Sequence, residues 1–168
     1  MWYVVQVMTG NEHQVAALCK ESLLNEQEEV FIPMYERKRK VRGDYEIVKA
    51  VLFPGYVFFQ TEDVEGLFYC LKNVSGLTRI LQTGEEFTPL HESEVAFLSR
   101  FGGKEHVVEF SVGYIEGDKV VITEGPMADW QGKVKKIDRH KRIAVLEVEF
   151  FGRITDVTVG LEIVEKRV

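Results

Sequence analysis

The sequence predicts an α+β domain on a mostly antiparallel sheet, followed by a small all-β barrel. Three observations predict it. Strand-type apolar runs and amphipathic stretches of helical period are mixed as far as residue 101, with hairpins in the middle. Gly102-Gly103 then breaks the pattern beside charged residues, as a flexible joint would. Beyond it no helical period returns, and four short β runs are separated by turn residues at the spacing of a small barrel.

Each element has a local reason. Trp2 to Val7 is aromatic, β-branched and free of Gly or Pro, which is strand chemistry. Thr9-Gly10-Asn11 punctuates it, with Asn11 as helix cap and Gln14 as its capping-box partner. Val15, Leu18, Cys19, Ser22 and Leu23 then share a helical face, which makes Cys19 a core residue. Val30 to Pro33 is a second strand, running into a long hairpin tipped by Gly43-Asp44. Phe53-Pro54-Gly55 turns into an apolar strand through Phe59. A helix is expected over Val64 to Lys72, with Leu67, Phe68 and Leu71 inward. Thr78 to Leu81 and Glu86-Phe87 suggest a short hairpin around Gly84. His91 to Phe101 is the last helix, with Val95, Leu98 and Phe101 on its apolar stripe.

After the glycines, strands are expected over Lys119 to Ile122, Lys133 to Ile137, Ile143 to Phe150 and Ile154 to Val159. A core of roughly 50 residues is near the lower limit for independent stability, so closing the sheet on itself is the way to remove its edges. The expected division is a first domain over 1–101, a linker over 102–112 and a second domain over 113–168.

The chain has 168 residues, enough for one ordinary domain or two small ones. No run of about 18 apolar residues is present, and no positive region precedes the first apolar stretch. Neither a membrane span nor a secretory signal is expected, and the cytoplasm is the compartment these features predict. The two cysteines, Cys19 and Cys70, cannot supply a four-ligand metal site. His13, His91, His106 and His140 are scattered without ligand spacing, and no P-loop, dinucleotide fingerprint, GxSxG or HExxH occurs. The expectation is a binding protein with no enzymatic activity, no metal and no cofactor.

Charge singles out one stretch. The net formal charge is −6, yet GKVKKIDRHKRI gathers Lys133, Lys135, Lys136, Arg139, Lys141 and Arg142 against one acid, Asp138. With strand alternation Lys133 and Lys135 would point outward and Val134 inward. His140 belongs to the same basic turn. Cations on one edge can follow a phosphate backbone, Arg can pair bidentately with phosphate or guanine, and Trp130 in the preceding loop could stack on an unpaired base. Neutralising about five phosphates would give a salt slope near −3.5 on single-stranded RNA. The alternative is a solvated hairpin whose lysines keep a strand edge from aggregating. A second run, Arg37, Lys38, Arg39, Lys40 and Arg42, lies on the long hairpin, where contact with DNA and a merely solvated hairpin are equally open.

Two motifs resemble a known family. GDKVVITEGPMADWQGKVKKI, residues 117 to 137, resembles a KOW motif, with Val120, Ile122 and Val134 alternating inward and Gly132 entering the next strand where φ can turn positive. Phe53-Pro54-Gly55-Tyr56-Val57, behind Trp2-Tyr3-Val4-Val5-Gln6, resembles the N-terminal domain of NusG-type transcription elongation factors. Phe151-Gly152-Arg153 resembles that family's C-terminal strand hairpin. The ordered set covers nearly the whole chain. It implies a NusG-type N-terminal sheet with flanking helices, plus a small SH3-like KOW β-barrel.

The resemblance also implies a function. N-terminal domains of this family bind the clamp helices of RNA polymerase through an apolar pocket. By position, Phe53 and Tyr56 are the candidates for that pocket, with Trp2 and Leu98 behind them. The barrel of general NusG factors recruits Rho or a ribosomal protein. The six cations depart from that pattern and fit better with LoaP, a specialised NusG branch whose KOW domain binds an RNA hairpin in the leader transcript during processive antitermination. The expected partners are RNA polymerase and a nascent RNA hairpin, with upstream DNA as a further contact and no membrane. The chain is expected to act as a monomer. A general NusG elongation factor is the second reading, and a ribosome-associated KOW protein a third.

Overall fold

The computed structural model describes residues 1–22, 28–72, 79–80, 82–83 and 86–167. These pack as two compact units, Met1–Ile32 with Phe53–Val95, and Pro33–Leu52 with Ala96–Val168. The long hairpin and the chain from residue 96 onward therefore belong to one unit by packing.

In the first unit, β1 (Trp2–Gln6) lies between β5 (Tyr56–Gln60) and β6 (Arg79–Ile80), with β2 (Glu29–Phe31) outside β5. All three pairings are antiparallel. β1 and β5 are apolar nearly throughout because both of their faces are buried, the pattern of strands covered on two sides. One face carries Val5, Val57, Phe59 and Val30. They share a core with Val15, Ala16 and Cys19 of α1 (Glu12–Ser22) and Leu67 and Leu71 of α2 (Val64–Lys72). Cys19 is 1% exposed, as a small core residue should be, whereas Leu18 is 42% exposed and lies off the expected apolar stripe. Phe68 is 38% exposed, another correction to the expected inward set. It takes the Lys72 ammonium over its ring at 4.7 Å instead. Leu23, Thr78, Leu81 and the turn at Gly84 lie outside the described residues. The short hairpin is made by β7 (Gln82–Thr83) and β8 (Glu86–Phe87), whereas Arg79–Ile80 of the strand expected for it pairs with β1 instead.

In the second unit, β3 (Met34–Val41) and β4 (Asp44–Val51) form the long hairpin in unbroken register. Its tip is Arg42-Gly43, with φ of 51° and 88°, the backbone of a two-residue primed turn. α3 (Glu92–Gly102) contributes its C-terminal half to this unit. Within the segment expected as linker, β9 (Val107–Val108) pairs parallel with the start of β3, and Val108 is buried.

The C-terminal sheet has five strands in the order β11-β10-β14-β13-β12. These are β10 (Ser111–Glu116), β11 (Lys119–Glu124), β12 (Lys133–Asp138), β13 (Ile143–Phe150) and β14 (Arg153–Arg167). β14 pairs antiparallel with β13 and parallel with β10, so its 15 residues serve both halves of the sheet. Its core holds Ala144, Leu146, Phe150, Val157, Val159 and Leu161, all nearly inaccessible. The expected closure is absent among the described residues: no ladder joins β11 to β12. Both strands instead line a groove of about 460 Å³, with Val120, Ile122, Met127, Trp130, Val134 and Ile137 on its walls.

Candidate nucleic-acid interface

The basic stretch folds as β12 and its turn into β13. Asp138 pairs with Ile143, leaving Arg139 to Arg142 as a four-residue connection. The Lys141 backbone N–H donates to Asp138 Oδ1 at 2.9 Å and closes the turn. That bond, more than the neighbouring Lys141 and Lys136 charges, holds the Asp138 carboxyl below its ordinary value. The one acid of the run is thus a turn-forming residue.

The expected alternation fails at one point. The ladder shifts between Val134 and Lys136, leaving Lys135 without an opposite residue, which is a β-bulge. Lys133, Val134, Lys135 and Lys136 are all exposed on this edge strand. Val134, expected inward, is 39% exposed. Two of these cations are already neutralised across the sheet. Lys133 Nζ lies 3.3 Å from Glu147 and Lys135 Nζ 2.9 Å from Asp156. The Asp156 bond raises the Lys135 pKa. Lys136, Arg139 and Lys141 make no salt bridge among the described residues, and all three are exposed.

Arg142 has a different part. Its Nε lies 3.0 Å from Glu162 Oε2, off the line of a good hydrogen bond, and both side chains are mostly shielded, at 22% and 18% exposure. Its Nη2 donates to the Tyr45 hydroxyl at 3.1 Å, and the guanidinium lies 4.7 Å from the Tyr45 ring centroid. Arg142 therefore clips β4 to the β12–β13 turn. Arg37 adds a second link, donating from Nη1 to the Lys141 carbonyl at 3.3 Å. A Cβ on Gly160 would sit 2.0 Å from the Glu36 carbonyl oxygen, so only glycine lets β3 approach β14 this closely. Tyr45, Glu162 and Gly160 are the residues that sequence reasoning missed. Nothing local marks them, because Tyr45 meets Arg142 from 97 positions away, Gly160 meets Glu36 from the far end of the chain, and Glu162 meets Arg142 only across the sheet.

Trp130 is half-buried, with its ring edge-on to Phe101 at 5.8 Å and to Phe97 at 6.5 Å. Phe97 also meets Phe150 at 5.5 Å, and Arg100 donates to the Ala128 carbonyl at 3.0 Å. The geometry gives Trp130 a packing role. Gly132 follows from it, since a Cβ there would fall 2.0 Å from the Trp130 ring. The residue is glycine for space; the expected positive φ belongs to other glycines.

The second expected site lies in the first unit. Trp2 and Tyr56 are half-buried on the sheet face that also carries Val4 and Phe58. Phe31, which the sequence reading did not single out, links them. Its ring is edge-on to Trp2 at 5.1 Å and stacked on Phe58 at 5.6 Å, and Phe53 lies 5.6 Å from Phe58. Phe53 is 3% exposed, however, and in the second unit Leu98 is 4% exposed. Neither presents a free surface.

The loop carrying Phe53 is fixed by Glu12. Its carboxylate accepts from the Gly55 N–H at 2.8 Å and from the Gly10 N–H at 3.0 and 3.2 Å. Burial raises the Glu12 pKa, but these N–H donors outweigh it and the net shift is downward. Among the described residues the Asn11 side chain does not cap α1; Glu12 satisfies the adjacent loop N–H groups.

The architecture is that of a two-part α+β protein ending in a KOW-type sheet. Residues 1–99 match the family model described as transcription termination factor nusG, and residues 116–149 match the KOW motif. The chain belongs to the NusG family. It is 30% identical over 172 residues to the transcription termination/antitermination protein NusG of Pasteurella multocida, covering 98% of this chain and 94% of that one. The Thermus thermophilus protein of the same name is 28% identical over 179 residues, with 98% and 97% covered. The solved structure "Domain interaction in Thermotoga maritima NusG" is similar at 26% identity and a TM-score of 0.57, covering 95% of this chain and 92% of that one. No helix among the described residues is long and apolar enough to cross a membrane.

Proposed function

We propose that this chain is a transcription elongation factor that acts as a processive antiterminator, in the manner of the LoaP branch. It joins RNA polymerase through the N-terminal domain and holds a nascent leader RNA hairpin through the KOW domain. Membership of a family whose relatives are named termination/antitermination proteins supports the transcriptional role. One observation carries the RNA reading: Lys136 at the end of β12 and Arg139 and Lys141 in the turn after it stand exposed and make no salt bridge among the described residues, with Asp138 the one acid beside them, in a chain of net charge −6. A solvated edge has no need to leave these three unpaired while Lys133 and Lys135 are paired beside them.

Polymerase is held through the aromatic face of the first sheet. Trp2 and Tyr56 are its part-exposed members, with the buried Phe53 backing them and Leu98 serving as an interior residue. Half-exposed aromatics make good anchors for a partner helix. Holding the transcript and the enzyme together raises the effective concentration of each contact over long genes.

The groove between β11 and β12 favours a second reading, a general elongation factor whose KOW domain recruits a protein. Its walls offer Val120, Ile122 and Val134 to an apolar partner. Fluorescence anisotropy of the full chain against leader RNA hairpins separates the two. Hairpin-selective binding that weakens about tenfold or more in Lys136→Gln/Arg139→Gln/Lys141→Gln, with a shallower salt dependence, supports the antiterminator. Absence of RNA binding alongside capture of Rho or a ribosomal protein supports the second reading.

A further inference from the structure

The two cationic runs of the sequence lie on two hairpin tips, and the second unit joins those tips. The β3–β4 hairpin is seated on the sheet where Gly160 admits Glu36. It is clipped at the β12–β13 turn by Arg142 on Tyr45 and by Arg37 on the Lys141 carbonyl. We propose that the tips form one phosphate-binding surface and that a single RNA stem is gripped by Lys40 and Arg42 together with Lys136, Arg139 and Lys141. This rests on the RNA reading above and reassigns the hairpin cations from upstream DNA to the same transcript.

Two observations carry it beyond proximity. Lys40 and Arg42 are exposed and make no salt bridge among the described residues, whereas their neighbour Arg39 is paired with Glu46 at 3.0 Å. Cations outside any salt bridge among the described residues thus stand at both tips. Arg42 also holds φ at 51°, a conformation that glycine or asparagine adopts with less strain. The two-residue primed turn requires that φ, and it leaves the Arg42 side chain exposed at the tip with no hydrogen bond or ion pair among the described residues. A paired stem suits the site because its backbone presents phosphates at fixed spacing, and double-stranded RNA is recognised mostly through shape and backbone. Five neutralised phosphates would give a salt slope of about −4.5 on a duplex, against about −2.7 for the barrel turn alone.

The test is anisotropy of the full chain with an RNA stem of about 16 base pairs, the span double-stranded RNA modules cover, over a salt series. A DNA duplex of the same sequence runs beside it. Lys40→Gln/Arg42→Asn lies at exposed positions and removes no packing. It should weaken stem binding about tenfold at low salt and flatten the slope by about 1.8. Gly160→Ala removes no cation but forces β3 away from β14, and with a folded circular dichroism spectrum it should reproduce part of that loss. If Lys40→Gln/Arg42→Asn binds the stem within about twofold of the parent with an unchanged slope, the joint surface is wrong. If Lys136→Gln/Arg139→Gln/Lys141→Gln alone then abolishes binding, the barrel reading survives it. Failure of the parent chain to bind the stem at low salt removes both, and preference for the DNA duplex overturns the assignment to RNA.

Discussion

Glu12 is a buried carboxylate kept charged by backbone donors. Its pKa is depressed below the ordinary value of 4.5, so its contribution to stability is present above that value and is lost as pH falls through the lower, folded one. Thermal melts across the acid range should therefore show stability falling below pH 4.5. Glu12→Gln, which cannot satisfy Gly10 and Gly55 as a charged acceptor, should be less stable at neutral pH by about 1–3 kcal/mol. It should also lose less on acidification. An acid limb identical in parent and variant would remove Glu12 from this role. The same residue scale separates cations that look alike in the sequence: Lys133 and Lys135 are paired, Arg142 is structural, and Lys136, Arg139 and Lys141 are available.

Between elements, the consequential contact joins the β3–β4 hairpin to the β12–β13 turn. Arg142 and Glu162 are mostly shielded, and removing one partner leaves the other charge poorly solvated. Arg142→Ala should cost about 2 kcal/mol in urea unfolding, and Arg142→Ala combined with Glu162→Gln should recover part of it. Strict additivity of the two substitutions would show that the pair is not coupled. The bulge at Lys135 acts at the same scale. It interrupts the alternation of β12 just after the groove-lining Val134 and leaves Lys135 with no residue opposite.

Across the whole molecule the proposed roles are divided between residues of the two units, and they should separate by mutation. Trp2→Ala/Tyr56→Ala should reduce co-purification with RNA polymerase about tenfold while leaving RNA anisotropy unchanged. Lys136→Gln/Arg139→Gln/Lys141→Gln should do the reverse. Loss of both activities in either folded variant would sink the division of labour. The net charge of −6 makes the distinction sharp, since general attraction to nucleic acid is not expected of this chain and binding must come from a local surface.

Much of the fold could be read from the chain because its signals are local. β1, β5, α2, α3 and β13 follow from apolar period and turn residues within a few positions, and the helix over Val64–Lys72 is found at its expected bounds. The motifs at Phe53-Pro54-Gly55-Tyr56 and over 117–137 are local too, and they led to the family. β14 runs on to Arg167, past the expected end at Val159, because Gly160 reads as a break until the Glu36 carbonyl is seen to occupy its side-chain space. β10 escaped because Gly113 interrupts a short alternating run, and it is held by β11 and β14 on either side. Which cations are free, which aromatics are buried and which two tips meet depend on pairings between residues far apart in sequence. Composition and periodicity fix what each segment can become, whereas charge neutralisation and burial belong to neighbours that only the folded chain supplies.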